Sequence, residues 1–276
     1  MNAYALGASR NIGYHAALRL LAKGAHVTFL LRSPSIFDAD AAIQPYVESG
    51  HIHIVKGDAL VTEDVAKGWE TALQIGPVDL VLFSVGSIPK FNLTCGFKLD
   101  PVDLCTRSMF NLLLTLPQSL RAHESQPKFI AISSLGLTRI SHKALPLIYR
   151  PLYSVLLSSP HQDKLGMEYI LAYLSGREWE DDEPFADILS PAWKEDSRLL
   201  GAGELKKLVV VRPALLVGEE CQGDKVKESG KEPYRVSAGN LQSPYSISRQ
   251  DVAHFMVEGL LPEWERWQGK CVDVAY

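Results

Sequence analysis

Several things are scarce in this chain of 276 residues. It has only four cysteines, Cys95, Cys105, Cys221 and Cys271, far apart and without a CxxC pair. That excludes a disulfide scaffold and a zinc ribbon, and free cytosolic thiols are the expectation. No apolar run approaches the roughly 18 to 20 residues that a membrane span needs. The apolar start is too short for a signal peptide and leads straight into a glycine turn, so the expected location is cytoplasmic. There is no excess of basic charge: the formal net charge of −4 argues against a general nucleic-acid or acidic-membrane binder. Internal repeats and low-complexity tracts are missing too. Apolar content of 46% and charged content of 22% are ordinary, and one α/β domain over 1–276 is the simplest organisation.

The most telling residues lie near the start. The apolar run Ala3-Tyr4-Ala5-Leu6 meets Gly7-Ala8-Ser9-Arg10-Asn11-Ile12-Gly13. A segment of helical period then closes at Lys23-Gly24, and Val27-Thr28-Phe29-Leu30-Leu31 ends on Arg32. Strand, glycine turn, helix and strand make a phosphate-binding unit. Glycines let the backbone approach a pyrophosphate, and the helix N-terminus offers unpaired N–H groups to its charge. The residue ending the second strand reads the adenosine ribose. An acid suits the free 2′-hydroxyl of NAD, and an arginine the 2′-phosphate of NADP. Arg32, with Arg10 as a second candidate, points to NADP rather than NAD.

The rest alternates strand and helix, as a parallel sheet covered on both faces requires. Ile52 to Val55, Val78 to Phe83, Lys128 to Ile132, Leu208 to Val211 and Cys271 to Ala275 read as further strands. The run at Val78 to Phe83 is nearly all apolar, the mark of a strand buried on both faces. Helices are expected over Thr62 to Gln74, after Asp100-Pro101 with a kink or break at Pro117, and over Arg249 to Leu260. A further helix starts at Ser159-Pro160-His161-Gln162, with Ser159 as cap and Gln162 completing a capping box, and stops at Gly176. The fold class expected is a Rossmann-type doubly wound parallel sheet with helices on both faces. Its substrate pocket would come from C-terminal-half insertions, with 144–158 and the acidic stretch 177–203 as lid.

Taken together, these residues resemble the short-chain dehydrogenase/reductase superfamily, in its atypical NmrA-like branch with the biliverdin-reductase-B-like proteins. The resemblance rests on the glycine turn, Gly57-Asp58-Ala59, Ser84-Val85-Gly86, Ser133-Ser134, Asp163-Lys164 with Glu168, Val211-Arg212-Pro213-Ala214, and Ile247 to Ala253. It implies cofactor contacts at Gly7, Ser9, Arg10, Asn11, Ile12 and Gly13 in the turn. Asp58 would bond the adenine amino group, with Ala59 a further cofactor contact; Ser84, Val85 and Gly86 would pass the ribose, and the backbone at Pro213 and Ala214 would approach the nicotinamide carboxamide. Ser133 corresponds to the family's catalytic serine, and Lys164 to the lysine that bonds the nicotinamide ribose. In the turn, Asn11 stands where the better-known branch has its middle glycine, and Arg10 where the atypical pattern has one; Asn tolerates unusual backbone angles better than most residues. The catalytic Tyr-x-x-x-Lys keeps Lys164 but has Pro160 at the tyrosine position.

Tyr149, Tyr153 and His161 are the side chains near enough in sequence to replace that hydroxyl, and water is a further proton source. His51 and His53 share a strand face without an evident third ligand, so no metal is expected. The function that follows is an NADP-dependent oxidoreductase acting on a small-molecule substrate, without nucleic acid or membrane partners and with the oligomeric state open. The alternative is an NmrA-like dinucleotide-binding redox sensor without turnover, for which the lost tyrosine speaks.

Overall fold

The computed structural model describes residues 1–86, 90–92, 96–98, 100–137, 158–228, 232–239 and 241–276. Strand β1 (Asn2–Leu6) pairs in parallel with β2 (His26–Leu31) and with β4 (Leu80–Phe83). β2 carries β3 (Ile52–Lys56), and β4 carries β7 (Lys128–Ile132), then β8 (Leu208–Pro213) and β12 (Cys271–Ala275). The order is β10-β12-β8-β7-β4-β1-β2-β3, parallel except for β10 (Arg235–Ala238), which closes one edge antiparallel to β12. Two short pairs stand apart, β5 (Lys90–Asn92) with β6 (Gly96–Lys98) and β9 (Leu215–Leu216) with β11 (Ser246–Ile247).

Alternation along the strands explains the two layers of helix. Ala3 and Ala5 of β1 face one way and Tyr4 and Leu6 the other, and all are fully buried. The first face packs against α1 (Asn11–Ala22), α6 (Arg249–His254) with its π-helical continuation Phe255–Leu260, and α7 (Trp264–Trp267). The second packs against α3 (Thr62–Ile75), α4 (Leu104–Leu114) and α5 (Ser158–Ser175). A short helix, α2 (Gln44–Glu48), precedes β3. The Rossmann-type doubly wound sheet is therefore as the alternation predicts.

Some details differ. Helix α4 ends at Leu114, before Pro117, which opens a separate 3-10 turn at Gln118–Leu120. Ser159 and Pro160 lie inside α5 rather than ahead of it. β4 begins at Leu80 rather than Val78, and just ahead of it the Asp79 carboxylate accepts from the Asn2 N–H at 2.7 Å. The edge strand β10 and the β9–β11 pair have patterns too short to stand out in sequence. The 144–158 lid falls outside the described residues except for Ser158. Residues 177–203 hold a 3-10 turn, Pro191–Glu195, whose buried Trp193 packs on Phe110 of α4 and on Tyr169 and Tyr173 of α5. Among the described residues no helix is long and apolar enough to cross a membrane.

Candidate active site

A cleft of about 670 Å³ opens at the carboxyl ends of β1, β2, β3, β4, β7 and β8. Ligands of open α/β sheets bind there, and the volume lies within the usual range for small-molecule sites. Gly7, Ser9, Arg10, Asn11 and Ile12 of the turn line it. So do Arg32, Asp58, Ala59, Ser84, Val85 and Gly86. Ser133, Ser134, Lys164, Pro213 and Ala214 complete the expected set. Gly13 does not line the cleft. A Cβ there would meet Ser84 Oγ at 2.4 Å, so its smallness lets α1 pack against the end of β4. None of residues 177–203 lines it either.

The glycine turn is tight for identifiable reasons. Gly7 has φ +73, and a Cβ on it would lie 2.4 Å from Val85 N and 2.5 Å from Ser84 C. Ser84 Oγ donates to Gly7 O at 3.2 Å and ties the turn to β4. Asn11 takes the left-handed conformation at φ +57, which is how the chain manages without a glycine there. Arg10 is extended at φ −161, so its side chain replaces a glycine without strain.

At one end, Arg32 and Arg10 are exposed, and their side chains have no ion pair or hydrogen bond among the described residues. Asp58 is fixed by a local turn: its Oδ1 accepts from Leu60 N–H at 3.0 Å, and its own N–H donates to Asp64 Oδ2 at 2.8 Å.

At the other end, Lys164 spans two strand ends, donating to Val85 O at 3.0 Å and Ile132 O at 2.6 Å. One of its three N–H donors remains for a ligand. Its neighbour Asp163, fully buried, ties this turn of α5 to α4 by accepting from Cys105 N–H and Thr106 N–H, both at 2.8 Å. Those are otherwise unpaired donors at the start of α4. Burial pushes the Cys105 thiol up to about 12, so it stays protonated beside the cleft. His161 lines the cleft one helical turn before Lys164.

Ser133 Oγ is buried, makes no hydrogen bond of normal geometry among the described residues, and lies near enough to the Glu168 carboxylate to help hold it below its ordinary value. Behind it, Glu168 holds Arg212 in a buried bidentate pair, with Arg212 Nε donating to Oε1 at 3.0 Å and Nη2 to Oε2. Burial alone would raise the Glu168 carboxyl, but the Arg212 charge outweighs it and holds it below the ordinary value. The pair joins α5 to β8, whose end supplies Pro213 and Ala214. Asp273, opposite Arg212 on β12, is pushed by burial up to about 7. His51 and His53 stack with His26 at the opposite end of the sheet. No three His, Cys, Asp or Glu side chains among the described residues are grouped to hold a metal.

Sequence reasoning missed one lining residue of consequence, Arg249 at the start of α6. A signal was present: Ser248-x-x-Asp251 is a helix-start pattern, and Ser248 Oγ accepts from Asp251 N–H at 2.9 Å. It fixes where Arg249 stands, though not that the cleft lies beside it. Tyr149 and Tyr153 lie outside the described residues.

No family model matches the chain. A curated relative, Reductase pytE of Aspergillus terreus, is 26% identical over 271 residues, 93% of this chain and 90% of its own. Among solved structures, ChuY, an Anaerobillin Reductase from Escherichia coli, is similar with a TM-score of 0.55 at 14% identity, over 100% of this chain and 97% of that one. An alcohol dehydrogenase from the archaeon Thermococcus sibiricus, complexed with 5-hydroxy-NADP, is similar with a TM-score of 0.57 at 14% identity, over 94% of this chain and 90% of that one. The chain shares the Rossmann fold of nicotinamide-dependent reductases, in agreement with the resemblance of its sequence to the atypical short-chain dehydrogenase/reductase superfamily.

Proposed function

We propose that this protein is an NADP-dependent oxidoreductase of the NmrA-like, biliverdin-reductase-B-like branch, acting on a small organic molecule in the cytoplasm as a single domain. The observation that carries the reading is the pairing of a turn closed to any side chain at Gly7 with two arginines, Arg10 and Arg32, whose side chains have no partner among the described residues, on the same cleft. The curated relative's name, a reductase, supports the reaction type.

The residues fit the cofactor. Gly7 permits close approach to the diphosphate, and the free N–H groups at the start of α1 receive its charge. Arg32 and Arg10 take the 2′-phosphate, and Asp58 the adenine amino group. The remaining N–H of Lys164 bonds the nicotinamide ribose, and the backbone at Pro213 and Ala214 meets the carboxamide. When bound, NADPH supplies the hydride. Ser133, whose hydroxyl lines the cleft beside the Glu168 carboxylate, donates to the acceptor oxygen and orients it. Pro160 has no proton to give, so the proton comes from water or from His161, which lines the cleft. Losing a general acid typically costs about 10²–10⁴-fold in rate without forbidding the reaction.

Arg32→Gln tests the cofactor assignment: NADPH affinity should fall at least about tenfold while NADH affinity stays nearly level. Equal loss for both overturns it. Pro160 also favours a second reading, a redox sensor that binds the dinucleotide without turnover. A panel of quinones, flavins and carbonyls separates the two. Turnover lowered by both Ser133→Ala and Lys164→Ala supports the enzyme, and no turnover with tight binding supports the sensor.

A further inference from the structure

Arginine partners across the described residues show a pattern. Arg19, Arg107, Arg198, Arg212 and Arg266 pair with carboxylates. Arg121 and Arg235 donate to backbone carbonyls, and Arg177 to Cys271 Sγ. Only Arg10, Arg32 and Arg249 have no such partner among the described residues, and all three line the one cleft. Arg249 is the anomaly among them, because it is half-buried and its Nε is shielded from solvent with no hydrogen bond among the described residues. A desolvated guanidinium donor without an acceptor is costly and calls for an anion.

Its position says which anion. β11 pairs with β9 in the register Ser246 to Leu215 and Ile247 to Leu216, and Leu215 and Leu216 line the cleft after Pro213 and Ala214. Ser248 then caps α6, so Arg249 leaves from its first position at the cleft's edge. α6 packs against α1. The Arg249 charge is felt at His15, four residues beyond Asn11 on α1, which burial and then the charges of Arg19 and Arg249 hold below the ordinary histidine value. Arg249 therefore stands across from the first turns of α1, between the glycine turn and the Pro213 end.

We propose that Arg249 is an anion clamp for the cofactor's diphosphate, closing on the phosphate nearer the nicotinamide from the wall opposite the glycine turn. This rests on the dinucleotide reading above. Arg32 and Arg10 serve the 2′-phosphate at the far end, which leaves Arg249 as the cationic side chain for the diphosphate. The fork of Arg249 suits a phosphate's paired oxygens.

The test is calorimetric titration of wild type, Arg249→Gln and Arg249→Lys with three probes. These are NADPH, 2′-phospho-ADP-ribose, and adenosine 2′,5′-bisphosphate, which lacks the second phosphate of the diphosphate. Arg249→Gln should weaken the first two by about 10- to 100-fold and the third by less than about threefold. Arg249→Lys, keeping the charge but not the fork, should fall between and carries the test should the glutamine variant fold poorly. Equal loss on all three probes overturns the clamp, as does unchanged NADPH affinity with a raised substrate KM, which would make Arg249 a reader of a substrate carboxylate. Wild type binding none of the probes would instead sink the dinucleotide reading itself, and Arg32→Gln, which should weaken all three, marks the two failures apart.

Discussion

Asp273→Asn should remove a loss of stability that wild type suffers as pH rises from about 4 to about 8. Asp273 is fully buried on β12 and its carboxyl is raised from 3.8 to about 7, first by burial. Its Oδ2 accepts from Leu241 N–H at 2.9 Å, but its Oδ1 has no partner among the described residues. Since the folded value is the higher one, folded protein holds the proton that unfolded chain releases. Stability from this group is fully present below about pH 4 and lost as pH rises through about 7. The difference of about three pH units amounts to about 4 kcal/mol, or on the order of 10 °C in Tm for a chain of this size. His15, His53 and His254 act in the opposite sense. Burial holds each below its ordinary value, so stability from them rises with pH through the same range. The readout is therefore the difference between wild type and variant in thermal denaturation at pH 5 and pH 8. Asparagine keeps an acceptor for Leu241 N–H, so the variant should gain on wild type as pH rises. Parallel profiles for the two proteins would refute the argument.

Gly7→Ala should lower stability by about 2–4 kcal/mol and abolish dinucleotide binding, read by denaturation and calorimetry, because the residue sits at φ +73 with β4 backbone 2.4 Å from the added carbon. Glu168→Ala should destabilise by about 3–5 kcal/mol by leaving Arg212 buried and unpaired, and the double variant Glu168→Met with Arg212→Met should recover most of the loss in urea unfolding. Lys164→Met should raise the dissociation constant for NADPH and lower stability by about 1–3 kcal/mol, since Val85 O and Ile132 O each lose a charged donor.

The parallel core was legible because each central strand is a short apolar run, buried on both faces and bounded by a turn. Leu80 to Phe83 and Leu208 to Val211 have no solvated face to disguise them. β10 and the β9–β11 pair were not legible, because two to four residues give too little period to read. Most of the cleft was legible for a related reason: its residues sit at strand ends, and strand ends follow from strands. Asn11 illustrates how far residue chemistry reaches, since its left-handed backbone is what an asparagine at a glycine's place implies. Arg249 was missed because it reaches the cleft by tertiary packing of α6 on α1 across the length of the chain. Gly13 was read as a contact because spacing alone does not separate a glycine facing the cleft from one facing Ser84.

Titration of the wild-type protein with NADPH, followed by heat and by thermal shift, bears on the central claim more directly than any substitution. One site per chain, tighter for NADPH than for NADH, with a stabilisation of about 2.7 kcal/mol at a hundredfold excess over the dissociation constant, is the expected result. No heat and no shift with saturating NADPH or NADH would contradict the account at its root.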